Sequence, residues 1–253
     1  MEFGAIYTIW LREIKRFMRA KSRILGSLVG PVVWLSFMGV GLNSTFSIPN
    51  SNFSYLNYMA PGIIGMSLLF SSVFSGVSVI WEKQFGFLKE ILVAPVSRTT
   101  IALGKIAGSS TISMLNGLMV LIIATLIGAI SVSSLTLVSI PLVILFMILI
   151  SFSFVSLGLI IASKLNNMDG FQLIMGFLVL PLFFLSGAFF PIQNAPTWMQ
   201  ALAFLDPLMY GVDGLRAVLL GVSQLPILLD FTVLVGFSVV MIFVSSLMFR
   251  KIG

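Results

Sequence analysis

Residues 81–105 read WEKQFGFLKEILVAPVSRTTIALGK, and long apolar runs flank them on both sides. The stretch carries Glu82, Lys83, Lys89, Glu90, Arg98 and Lys105. A charged side chain at the centre of a membrane helix costs roughly 2.5 to 3.5 kcal/mol, so six of them place this stretch in water between two apolar spans. Its first half reads as a short helix: Phe85, Leu88 and Leu92 recur at spacings of three and four, and Pro95 ends the run. Such a helix is either a docking surface for a soluble partner or an ordinary solvated loop, and the pattern alone leaves both open.

The rest of the composition fits that frame. Of 253 residues 58% are hydrophobic and 9% charged, and the mean hydropathy is +1.13. A soluble domain carries about 25% charged residues, so this chain could not cover itself in water. It is an all-α polytopic membrane protein. The net charge of +6 does not indicate nucleic acid, because the basic residues are distributed as topology signals. Cysteine and histidine are absent. That removes disulfides, thiol catalysis, zinc sites built on those ligands, and histidine acid–base chemistry. No metal or cofactor is expected on the chain, and no removable signal peptide.

Outward from the opening stretch, six spans are expected near residues 24–42, 58–80, 106–130, 138–162, 171–190 and 231–249. Residues 1–23 form a basic amphipathic helix. Phe3, Ile6, Tyr7, Trp10, Ile14 and Phe17 share one side, and Arg12, Lys15, Arg16, Arg19 and Arg23 the other, a pattern suited to the membrane interface. Gly26 and Gly30 form a GxxxG pair that permits close helix approach, within the chain or to a second copy. Pro181 should kink the fifth span. Pro191, Pro196, Pro207 and Pro226 cut residues 191–230 into pieces too short to cross a bilayer. Two re-entrant half-helices before the last span fit that pattern. Asp213 and Arg216, three apart, are expected to pair.

Thirteen of the fourteen Lys and Arg residues fall on one side of this arrangement and only Arg216 on the other. The positive-inside rule puts both termini in the cytoplasm. The spans hold almost no ionisable groups, which argues against proton-coupled transport or an intramembrane enzyme. Gly104-Lys105 is not a phosphate-binding loop, because Thr99 stands where the first glycine is needed and Ile106 where Ser or Thr is. Energy for any transport must come from another chain.

Three passages together resemble the membrane subunit of ABC-2 type exporters, the drug-resistance, nodulation and polysaccharide-export permeases. They are the basic N-terminal helix, the segment FGFLKEILVAPVSRTTIALGK, and a carboxy-terminal signature. The signature reads Ser186-Gly187, Phe190-Pro191, Pro196, Trp198, Pro207-Leu208, Tyr210, Arg216 and Leu220-Gly221. The resemblance covers essentially the whole chain as a single transmembrane domain. It implies a plasma or inner membrane permease that dimerises with a second copy and binds two copies of an ABC ATPase subunit, which carry the ATP and Mg. It implies that Phe85, Leu88, Glu90, Pro95 and Arg98 couple to that ATPase, and that Pro191, Trp198, Pro207, Tyr210, Asp213 and Arg216 belong to an outer gate. A drug, lipid or glycan-type substrate would move outward. The alternatives are a non-transporting membrane scaffold or assembly subunit, and an ATP-independent carrier or channel.

Overall fold

The computed structural model describes residues 2–43, 53–87, 93 and 95–250. Regular structure among them is helical, and six helices are long and apolar enough to cross a membrane. These are Lys21–Val40, Tyr55–Gln84, Arg98–Leu126, Ser139–Lys164, Met168–Leu185 and Ile227–Arg250. The number is as expected from the sequence, but the second and third spans run further than expected toward the polar stretch between them. Glu82 and Lys105 are therefore not in water. They sit on the helices, 7% and 2% exposed, because each is neutralised by partners described below.

Two spans form the centre. In the second and fourth spans 67% and 61% of the most apolar stretch is buried, against 17%, 22% and 17% in the first, fifth and sixth. Between helices in lipid the hydrophobic effect offers little, so contact depends on small residues and interhelical hydrogen bonds. The second and fourth spans meet backbone to backbone at Gly76 and Gly158: a Cβ on Gly76 would lie 2.4 Å from the Gly158 carbonyl oxygen. The second and third are joined by Ser72 and Ser113, whose hydroxyls are 2.8 Å apart, and by Asn116, whose amide donates to Ser71 at 2.8 Å.

Prolines shape the outer spans. Pro31 withholds a backbone donor from the first span, and three residues later the helix widens into π-helical turns over Trp34–Val40. The fifth span does the same over Met175–Val179, just ahead of Pro181, so the expected irregularity takes the form of a π-helical segment.

Between the fifth and sixth spans lie two short helices, Thr197–Ala203 and Pro207–Leu220. The second is built for its position. Asp206 caps it by accepting from the Leu208 amide at 2.9 Å, Pro207 occupies the first turn, and Gly221 ends it at φ +71°. It is buried along most of its length among the second, fourth and sixth spans. Its glycines Gly211 and Gly214 admit Ile150 and Phe146 of the fourth span, and Gly65 of the second span in turn admits its Val212.

The N-terminal helix Glu2–Arg19 lies along the third span. The small residues that admit it are Gly104 and Gly108: a Cβ on either would come within 2.9 Å of Ile9 or Glu13. Trp10 adds a hydrogen bond from its indole nitrogen to Thr111 at 3.1 Å. Gly26 and Gly30 meet nothing within 4 Å, so that GxxxG pair makes no close approach within the described chain.

Candidate functional site

At one end of the bundle five charged side chains converge from three helices. Arg12, Glu13 and Arg16 come from the N-terminal helix, Glu82 from the end of the second span, and Lys105 from the start of the third. Lys105 Nζ donates to Glu82 Oε2 at 2.5 Å and lies 3.9 Å from Glu13. Arg12 bridges the two acids, at 2.9 Å from Glu13 and 3.1 Å from Glu82. Arg16 reaches them at 3.5 and 3.7 Å. Both carboxylates and the ammonium are buried, while the arginines are half-exposed. Burial pushes the Glu13 carboxyl up, but Lys105, Arg16 and Arg12 outweigh it and bring the group below its ordinary value.

Other ties gather at the same end. Lys83 points across to the last turn of the fourth span and donates to the carbonyls of Ala162, Ser163 and Leu165 at 2.9, 2.7 and 3.2 Å. Those are the carbonyls a helix leaves unsatisfied at its C-terminus, where the dipole also favours a cation. Ser97 caps the third span, accepting from the Thr100 amide. Glu2 accepts hydrogen bonds from the hydroxyls of Thr100 and Ser97, and these, Thr100 first, hold its carboxyl below its ordinary value. Arg98 donates to the Arg250 carbonyl at 3.1 Å. The N-terminal helix, both ends of the polar stretch, the end of the fourth span and the end of the last are thus at one end of the molecule.

The polar stretch hangs from this braced frame. Phe85, Phe87 and Val93 are exposed at 72%, 58% and 84%. Pro95 and Arg98 lie at its return, with Pro95 exposed. Leu88 and Glu90 lie outside the described residues, as does most of the short helix expected over 85–92. The bracing partners were missed in the sequence reading. Lys83 and Lys105 stood out only as charges, and the glycine spacing at 104 and 108 was the available signal for the helix that lies against them.

The opposite end is organised around Arg216, which is buried at 2% exposure. Its guanidinium lies 3.9 Å above the Tyr58 ring and donates to the Gly187 carbonyl at 2.9 Å. Asp213 is 3.7 Å away, at the long end of ion-pair range. The tighter partners of Asp213 are the amides of Gln224 and Leu225, at 2.8 to 3.0 Å. The pair expected from sequence is present, then, but each member is held chiefly by something else. Tyr210 donates to the Phe204 carbonyl at 2.8 Å, and Pro207 starts the second short helix. Trp198 is exposed at 62% on the first short helix. Pro191 instead lines a cleft of about 670 Å³ walled by Trp34, Tyr55, Tyr58, Phe184 and Phe189.

Six spans around a buried short helix, with a braced polar stretch at one end, define a polytopic membrane subunit. Residues 4–220 match the ABC-2 type transporter family, and the chain belongs to it. It is similar to the inner membrane transport permease YadH of Escherichia coli K12, 29% identical over 239 residues, covering 93% of this chain and 90% of that one. Nodulation protein J of Rhizobium leguminosarum bv. viciae is 26% identical over 246 residues, covering 96% and 93%. The putative transport permease ycf38 of Porphyra purpurea is 26% identical over 202 residues, covering 79% and 68%. The chain is a multi-pass membrane permease subunit, and its family implies partnership with an ABC ATPase subunit.

Proposed function

We propose that this chain is one permease half of an ATP-driven exporter. Two copies form the transmembrane unit, two ATPase subunits bind at the basic end, and an amphipathic substrate moves outward. Both termini then face the cytoplasm of a plasma or inner membrane, in accord with the thirteen-to-one division of Lys and Arg. The N-terminal helix lies in the membrane interface with the exposed Phe3 and Tyr7 toward lipid. ATP and Mg belong to the partner. Pro191, Trp198, Pro207, Tyr210, Asp213 and Arg216 shape the outer gate.

The observation that carries this reading is the mounting of the polar stretch. Two exposed phenylalanines protrude from a segment flanked by two helices that are tied together by the ion pair of Glu82 and Lys105, 2.5 Å between the paired atoms. A solvated loop has no need of such bracing, whereas a segment that passes force from a partner to the spans does. Phe85, Leu88 and Glu90 fill and pair with a cleft of the ATPase, and Pro95 and Arg98 anchor the return. Truncating a buried aromatic anchor commonly costs about 2 kcal/mol, roughly a thirtyfold loss of affinity. Co-reconstituted with its ATPase, the Phe85→Ala variant should insert and fold yet lose coupled hydrolysis and export. Full export by a Phe85→Ala, Leu88→Ala, Glu90→Arg triple variant would overturn the assignment.

A further inference from the structure

A second cleft, about 710 Å³, opens near the basic end between the first, second and third spans, with Met168 of the fifth at its edge. Its surfaces change along its length. At the mouth stand Arg23, Ser22 and Trp81, and further in it is walled by Phe70, Met66 and Pro31. Arg23 and Pro31 are eight residues apart on one helix, so the cleft runs about 12 Å along it.

The polar groups within the cleft are largely occupied with one another. Ser27 donates to the Asn116 side-chain oxygen at 3.1 Å, and the Asn116 amide donates to Ser71 at 2.8 Å. Arg23 differs. Among the described residues no carboxylate lies within ion-pair distance of its guanidinium. A small recess beside the mouth is shared by Arg23, Arg16 and Glu13. The neighbouring cluster already sets Arg12, Arg16 and Lys105 against only Glu13 and Glu82. Counted together with that cluster, Arg23 makes four cations against two carboxylates near this end, and of the six Arg23 is the one that lines the cleft.

We propose that this cleft binds an anionic amphipath, a phosphate-bearing lipid whose headgroup is read by Arg23 and whose chain lies along Phe70, Met66 and Pro31. A guanidinium with no carboxylate in ion-pair range among the described residues, and only Glu13 acting on it from further off, offers a phosphate two parallel charge-assisted hydrogen bonds, and the apolar inner wall has use only for a ligand with a hydrocarbon part. The occupant would enter from the leaflet on the basic side. This deepens the exporter reading by naming a substrate class; it rests on that reading for what happens to the ligand and not for the binding itself.

Binding is measured on the purified chain in neutral detergent with fluorescent lysophosphatidic acid and lysophosphatidylcholine of equal chain length. The anionic probe should bind at least about tenfold more tightly than the zwitterionic one. Arg23→Gln should lose most of that advantage, with a smaller loss for the zwitterionic probe, whose single phosphodiester charge is offset by choline, and Arg23→Lys should keep part of it. A Cβ on Gly26 meets nothing within 4 Å, so Gly26→Phe can fill the cleft without disturbing the fold and should weaken both probes. Millimolar glycerol 3-phosphate or inorganic phosphate should not compete. Equal affinity for the two probes, an unchanged Arg23→Gln variant, or competition by inorganic phosphate alone would overturn the proposal. So would a Gly26→Cys variant that crosslinks to a second copy while wild type binds no probe, since the cleft would then be filled by protein. Selective binding without export after co-reconstitution would count against the exporter reading alone.

Discussion

Replacing Glu82 tests the charge cluster most directly, because the distances assign unequal consequences to its members. Among the described residues Lys105 has Glu82 at 2.5 Å and otherwise only Glu13 at 3.9 Å. Glu82→Ala leaves a buried ammonium, 3% exposed, with one distant partner. Breaking a buried pair by removing one member typically costs 3 to 5 kcal/mol, because the remaining charge is desolvated and uncompensated. Lys105→Met is milder. Glu82 then keeps Arg12 at 3.1 Å and Arg16 at 3.7 Å, both half-exposed and so cheaply hydrated, and the expected cost is about 1 to 2 kcal/mol. The double variant Glu82→Gln, Lys105→Met removes both desolvated charges and should recover most of the loss from Glu82→Ala. For a chain of this size 1 kcal/mol shifts Tm by about 2 to 4 °C, so Glu82→Ala should lower it by roughly 10 °C. Thermal unfolding in detergent, followed by the fraction remaining monodisperse, measures all three. A Lys105→Met variant less stable than Glu82→Ala, or a double variant less stable than either, would refute the reasoning.

The lowered Glu13 carboxyl gives a pH dependence of definite sign: it stabilises the fold above the ordinary value of 4.5, and the contribution is lost as pH falls through its lowered value. The Tm difference between wild type and Glu13→Gln should therefore be constant near neutrality and close in the acid range below that value. Gly62→Ala would put a Cβ 2.6 Å from the Ala188 backbone, where nothing flexible can yield, and should cost about 1 to 3 kcal/mol by unfolding; Gly26→Ala should be neutral. Arg216→Lys should fail to restore the stability lost in Arg216→Ala, because stacking on Tyr58 while donating to Gly187 needs a planar guanidinium. A lysine variant as stable as wild type would assign the site to charge alone.

The spans were legible because lipid tolerates few charges, so apolar runs bounded by Lys and Arg fix where a helix can cross. The two short helices were legible for the same reason with the sign reversed: Pro191, Pro196, Pro207 and Pro226 leave no run long enough. Partners were not legible. Gly26 and Gly30 match the close-approach spacing yet face open space, while Gly104, in the stretch read for its charges, and Gly108, just past it, receive the N-terminal helix. Spacing states that a helix can be approached and not by what. The ends of the second and third spans were misplaced because a charge counts against lipid only when unpaired, and the partners of Glu82 and Lys105 are distant in sequence. At the candidate site, Phe85 could be picked out as an apolar residue in a polar stretch. Lys83 gripping the fourth span could not, since three backbone carbonyls leave no mark in a sequence.

The meeting of Gly76 and Gly158 has a mechanical consequence. Two helices that touch through bare backbone have no interlocked side chains there, so one can tilt on the other without forcing a rotamer change. The second span is itself divided at this crossing, into Tyr55–Phe74 and Val77–Gln84, so the closest backbone contact falls where its helical hydrogen bonding is interrupted. A bend there would swing Phe85, about 14 Å away on the basic side, without requiring the arm that carries Tyr58 to follow.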